Sequence, residues 1–247
     1  MTKINRRAVS TFVVLSLLVM SFVALAAALP EGPSLSIPAS SNRTAANGTG
    51  HTAGKGSINY AQLTATQQNM RWKAYVGNVS GSLVLQDAEG YNIYDWLLTT
   101  SINGTILASR NNTLNFNALN CTNGTTMIEE QTSLSFGAFT DDNINRTFNS
   151  TNHTQFMINN LPLSNCSAVY TFQNSTRQPT HWGNGTNVFQ EISIQDTSRR
   201  VAYATKIYND LLSYKNDLNT DFQMLLPDYG NTSITGAVTY YFFVELT

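Results

Sequence analysis

From Tyr60 onward the chain consists of short segments in which apolar and polar residues alternate, each broken off by Gly, Asn or Asp. Period two is the mark of strands, and segments this short leave no room for a helical bundle. Trp72, Ala74 and Val76 alternate with Arg71, Lys73 and Tyr75, and Leu83 and Leu85 follow a turn over 77–81. The turn 87–90 leads into 91–100, with Tyr94, Trp96 and Leu98 on one face, and Asn103-Gly104 turns the chain into 105–110. These pieces read as a meander of three or four strands.

Residues 111–153 are rich in Asn and Thr and read mostly as loop, with a short helix around Met127 to Ser133. Strands resume at 155–160, 167–173, 188–195, 200–208, 222–226 and 237–246. The expected fold is mainly β, a β-sandwich of about ten antiparallel strands. Val238, Tyr240, Phe242, Val244 and Leu246 form one apolar face of the last strand, and Tyr241 and Phe243 extend the other. It reads as a central strand buried on both faces, or as one offered to a neighbouring subunit. Leu85-Gln86-Asp87 and Ile194-Gln195-Asp196, each followed after six residues by Tyr, are an internal echo that duplication or shared turn chemistry would equally produce.

Before the β region, Lys3, Arg6 and Arg7 precede the uncharged run 8–29, which stops at Pro30-Glu31. A positive flank, an apolar run and a polar stop direct export. Ala24-Leu25-Ala26 offers small residues for cleavage near Ala26 or Ala28, yet the run is also long enough to remain as a membrane anchor. Residues 30–59 carry Pro30, Pro33 and Pro38 among Ser, Thr, Ala, Gly and Asn, and read as a flexible stalk. The expected division is 1–29 signal peptide or N-terminal membrane anchor, 30–59 stalk and 60–247 β-sandwich domain.

Charged residues make up 12% of the chain against about 25% in ordinary soluble domains, so its surface must be polar without charge. Asn, Ser and Thr number 28, 22 and 30. Without the leader's three cations, 11 basic face 15 acidic residues, a net charge of −4. Phosphate backbones need a basic patch, so nucleic acid is not an expected partner.

The N-glycosylation acceptor Asn-x-Ser/Thr occurs at Asn42, Asn47, Asn78, Asn103, Asn111, Asn120, Asn123, Asn145, Asn149, Asn152, Asn165, Asn174, Asn184 and Asn231. Fourteen acceptors stand against about six expected from the composition. They follow an export signal and fall mostly in expected turns, where an oligosaccharide disrupts no ladder. Cys121 and Cys166 are the only cysteines, and in a chain leaving the reducing cytoplasm they are expected to pair.

Few residues fall in a pattern that known site chemistry requires. Asp141, Asn143 and Asn145 start like a calcium loop, but Arg146 and Asn152 occupy the positions that need Gly and Glu. Gly54-Lys55-Gly56 lacks the order of a phosphate loop, and His51, His153 and His181 have no zinc spacing. Ser80 sits one place late in 77–81 for a nucleophile elbow. Asp95, Glu191 and Glu245 are carboxylates that a fold can pair for glycoside cleavage, though nothing points to it. Trp72 and Trp96 can stack on a sugar or sit in a core. No catalytic residue, metal site or cofactor is expected.

Two resemblances add location. Arg6-Arg7-Ala8-Val9-Ser10-Thr11 with the apolar run behind it resembles the start of archaeal type IV pilin-like proteins, in which a peptidase cuts before a helix that packs in a filament core. The segments RWKAYVGNVSGSLVLQDAEGYNIYDW, DFQMLLPD and YYFFVEL resemble an uncharacterised group of archaeal secreted or cell-surface β-domain proteins. The resemblance implies an archaeal envelope setting and transfers no active residues. The expected role is that of an exported N-glycosylated structural or adhesive surface protein without catalysis. The alternatives are a subunit of a pilus-like filament and an exported carbohydrate-binding protein. Expected partners are the membrane through an uncleaved leader, N-linked glycans, further copies of the chain and other envelope proteins.

Overall fold

The structure is a computed structural model and describes residues 29–98, 101–137, 140–171, 189–215, 217–231 and 233–247. The leader expected over 1–29, all but its last residue, lies outside the described residues, as do Asn174, Asn184 and His181.

β1 (Trp72–Gly77), β2 (Ser82–Gln86), β3 (Asn92–Leu97) and β4 (Gly104–Ser109) precede a 3-10 turn at Phe116–Ala118 and β5 (Asn120–Cys121). Two helices follow, α1 (Gly124–Ser133) and α2 (Ile144–Thr147), then β6 (Phe156–Ile158), β7 (Leu161–Leu163) and β8 (Ala168–Tyr170). The remaining strands are β9 (Gln190–Gln195), β10 (Val201–Lys206), β11 (Leu211–Leu212), β12 (Asn219–Thr220), β13 (Phe222–Pro227) and β14 (Tyr241–Leu246). The fold is mainly β, and among the described residues every strand pairing is antiparallel.

A central sheet runs β14-β4-β10-β9-β5, with β8 also paired to β9. Its neighbours in register are Val244, Ile106, Thr205 and Glu191 in one row, and Glu245, Thr105 and Lys206 in the next, so the two rows face opposite ways. One face holds Ala108, Val201 and Tyr203 and meets Met224 and Leu226 of β13 with Met127 and Leu134 of α1. The opposite face holds Leu107, Ile192, Ile194, Ala202 and Ala204 and meets Phe156, Ile158 and Leu163. Small Ala202 and Ala204 leave depth for those larger side chains. Burial on both faces explains why β4 and β10 are nearly continuous in buried residues.

The first four strands do not form the expected meander. β1 pairs with β13, far along the chain, β2 and β3 form a separate hairpin, and β4 joins the central sheet. Local turn signals fixed each strand, but pairing follows the apolar faces, and these are matched only across long sequence separations. α1 occupies the helix expected near Met127, with Asn123 accepting from Thr126 N at 2.9 Å as its N-cap. β14 is an edge strand of the central sheet and not a central one, although Phe243 and Glu245 are buried on one side and Phe242 packs on Tyr75 on the other.

The echo at Asp87 and Asp196 is one turn used twice. Asp87 Oδ1 accepts from Glu89 N and Tyr91 N, and Asp196 Oδ1 accepts from Ser198 N and Arg200 N. Gly90 (φ 93) and Arg199 (φ 59) hold the left-handed position in each. Shared turn chemistry therefore accounts for the likeness.

Regular structure begins at Trp72, and residues 32–69 are exposed throughout. Among the described residues no helix is long and apolar enough to cross a membrane.

Candidate functional site

Twelve of the fourteen acceptor asparagines lie in described residues; eleven are exposed, and Asn111 is half-buried. Most of them stand at the ends of elements or in loops: Asn123 caps α1, Asn145 lies within α2 and Asn103 stands just before β4, whereas Asn120 is in β5, opposite Gln195 of β9. Four of their third residues are held by the fold instead. Thr105 is buried, Thr122 donates to Ser193 O at 3.2 Å, Thr147 to Asn143 O at 2.8 Å and Thr154 to Gln190 Oε1 at 3.0 Å.

Cys121 and Cys166 form a disulfide, with Cα atoms 4.8 Å apart. It joins β5, at the end of the central sheet, to the approach to β8. Each cysteine is the middle residue of an acceptor triplet, Asn120-Cys121-Thr122 and Asn165-Cys166-Ser167, so the cross-link brings Asn120 and Asn165 together. His153 supports it: Cys166 N donates to Nε2 at 2.8 Å, and Nδ1 lies 2.8 Å from Thr154 O. Burial pushes the His153 pKa down, so the ring stays neutral and donates from Nδ1.

A cleft of about 600 Å³ opens between β1, β13 and β8 on one side and the α2 region on the other, lined by Trp72, Asp141, Asp142, Arg146, Asn149 and Tyr170 among others. Its carboxylates are committed to holding its walls. Asp142 accepts from Arg71 at 2.8 Å and Asn69 at 3.0 Å; burial would raise its pKa, but these hydrogen bonds and one from Thr140 hold it below the usual value. Asp141 pairs with Arg146. Trp72 donates its indole N–H to Asp142 O at 2.8 Å and packs edge-on against Phe136.

The residues weighed for chemistry are dispersed. Asn143 caps α2 by accepting from Arg146 N at 2.8 Å, so the stretch that starts like a calcium loop is a helix start. Glu191 is fully buried on the β13 side of the central sheet, where Leu225 N donates to Oε2 at 2.7 Å and Oε1 has no partner among the described residues. Glu245 lies on the opposite face and accepts from Asn159 N at 2.9 Å, while Asp95 is exposed on β3. The geometry pairs none of these three carboxylates. Trp96 sits exposed beside Tyr94, rings 4.8 Å apart, on a different sheet from Trp72. Among the described residues no cluster of three or more His, Cys, Asp or Glu stands ready for a metal.

The cleft has no local signal in the sequence, because its walls come from four separate stretches, 69–72, 141–150, 168–170 and Leu225. The burial of Glu191 and Ser193 is hidden too, because alternation in β9 reads as polar-out when both faces are covered. No family model, characterised protein or solved structure matches this chain.

Proposed function

We propose that the chain is an exported, N-glycosylated cell-surface protein with a structural or adhesive role and no catalysis, held by or cleaved from its apolar 8–29 segment. The observation that carries the reading is the exposure of eleven of the twelve described acceptor asparagines on a surface poor in charge. Oligosaccharides would give such a surface the solubility that charges usually supply. The Cys121–Cys166 bridge fits an oxidising compartment. A β-sandwich of about ten strands, with small hairpins as excursions, is the architecture that the layered packing supports. The archaeal envelope setting rests on the sequence resemblance alone.

The filament alternative draws on one feature. The β2–β3 hairpin stands as its own two-stranded sheet and exposes Leu85, Tyr91, Ile93, Tyr94 and Trp96. An isolated hairpin is marginal in water, and a neighbouring copy would cover it. A carbohydrate-binding role would use the cleft beside Trp72.

Labelling intact cells with a membrane-impermeant amine reagent tests display, and chemical deglycosylation tests the coat. The protein should be labelled on intact cells and migrate well above its 27.2 kDa chain mass until deglycosylated. Labelling only after lysis, together with migration at the chain mass, would overturn the reading.

A further inference from the structure

We infer that Pro30–Glu31 is a docking clip that seats the end of the apolar 8–29 segment directly on the open edge of β14, and that residues 32–69 form a closed surface loop in place of a tether. Glu31 N donates to Val244 O at 2.9 Å and Val244 N donates to Glu31 O at 2.7 Å, an antiparallel bridge on the outer edge of the central sheet. Pro30 beside it is buried.

The sequence confines this pairing. Continuing the antiparallel register sets Pro33 opposite Phe242, where the next ladder bond would form, and proline has no N–H to give. Past Glu31 the edge therefore receives no further ladder bond from this segment, and the pairing cannot lengthen toward the loop. A long aromatic edge is a pairing hazard, and a short proline-flanked cover is a way to blunt it.

The chain leaves the clip at Gly32 and returns at Arg71, whose side chain donates to Asp142 at 2.8 Å and whose carbonyl accepts from Asp228 N at 2.7 Å. Between these ends Arg43 donates to Thr66 O at 2.7 Å and ties the loop across itself. A spacer keeps a domain at a distance only when one end is free of that domain. Here both ends are fastened to the same body. A retained 8–29 segment thus holds the β14 edge close to the membrane or filament core, and a cleaved one leaves the new N-terminus fixed to that edge. The other end of the sheet, β5, carries Asn120 and, through the disulfide, Asn165. The clip and those two acceptors therefore lie at opposite edges of one sheet. The orientation toward a membrane rests on the export reading, whereas the clip does not.

The test uses the full chain with Glu31→Cys and Val244→Cys under mild oxidation, compared with Ser36→Cys and Val244→Cys, read by peptide mapping. The first pair should close within one chain, and the second should cross-link at least about tenfold less, because a held residue has a fixed effective concentration at its partner. Equal cross-linking from both positions would show a free tether and overturn the clip. Bonds between chains would show exchanged arms and overturn the closed loop. Amide exchange in the unsubstituted protein gives an answer that does not depend on how the cysteine variants fold. Slow exchange of the Val244 amide is expected, and exchange at the rate of an unpaired edge contradicts the clip. Absent glycans with an intact clip would remove the glycoprotein reading alone.

Discussion

Glu191 and Leu225 join the two layers of the β13-side core: the buried carboxylate accepts the Leu225 N–H at 2.7 Å and thereby ties β9 to β13. Burial raises its pKa well above the ordinary 4.5, and the Leu225 bond opposes this only in part. Other polar groups share that core. Tyr203 and Tyr240 are also pushed up by burial, and Glu130 is paired with Arg110. For a group whose folded pKa is raised, stability is fully present below the unfolded value and is lost as pH rises through the folded one. Glu191 should therefore lower the unfolding temperature as pH is raised from about 4.5 toward neutrality, while His153, whose pKa burial lowers, acts with the opposite sign over part of that range. Glu191→Gln keeps an acceptor for Leu225 and removes the titration, so it should flatten that slope and stabilise the protein at pH 7 by about 1–3 kcal/mol. A slope unchanged in Glu191→Gln would place the titration elsewhere.

Asp196 responds with the opposite sign. Burial would raise its pKa, but the Arg200 side chain and the backbone N–H groups of Arg200, Asn115 and Ser198 hold it below the ordinary 3.8. Its contribution is present above that value and is lost as pH falls through the folded pKa. Asp196→Ala, which unlike Asn creates no acceptor triplet with Thr197 and Ser198, should cost about 1–3 kcal/mol at pH 7 and remove part of the acid limb of the stability curve. Urea titrations of the two proteins at pH 7 and pH 3 read both effects.

Gly104 is a site where only glycine fits. Its φ is 146, and a Cβ there would lie 1.9 Å from the Glu245 carbonyl oxygen of the paired β14. Gly104→Ala should destabilise by about 3 kcal/mol or more, because backbone on both sides must shift. The substitution leaves the Asn103-x-Thr105 acceptor intact, so calorimetry should show the loss while glycopeptide mapping shows unchanged occupancy at Asn103.

The disulfide closes a separation of 45 residues that includes α1 and α2. In the chain-entropy description its removal costs about 4 kcal/mol. Cys121→Ser with Cys166→Ser should lower the denaturant midpoint accordingly, and a reducing agent should do the same to the unsubstituted protein. The variant keeps both acceptor triplets, since serine is allowed at the middle position.

Strand positions were legible from alternation and turn residues, as at β1, β4, β9, β10 and β13, and so was the helix capped by Asn123. Pairing was not, because β1 with β13 and β4 with β14 meet through contacts that no local pattern encodes. The segment after Pro30 shows the same limit. Its composition reads as a stalk, and only the bridge from Glu31 to Val244 shows both ends fastened to the domain. The triplets are legible because the motif is local, and the structure exposes eleven of the twelve acceptor asparagines that lie in described residues. Glu191 is not legible, because a carboxylate in a strand reads as solvent-facing until the second layer that covers it is seen.

Mass spectrometry of the protein purified from its own cells, reading the mature N-terminus and every acceptor peptide together, tests the surface-glycoprotein reading most directly. Oligosaccharides are expected on most of the exposed acceptors, Asn120 and Asn165 among them. The expected N-terminus is Ala27 or Leu29 for a secreted form, Ala8 for the filament alternative, or an intact leader for an anchored form. Unmodified asparagines at all fourteen positions would contradict it.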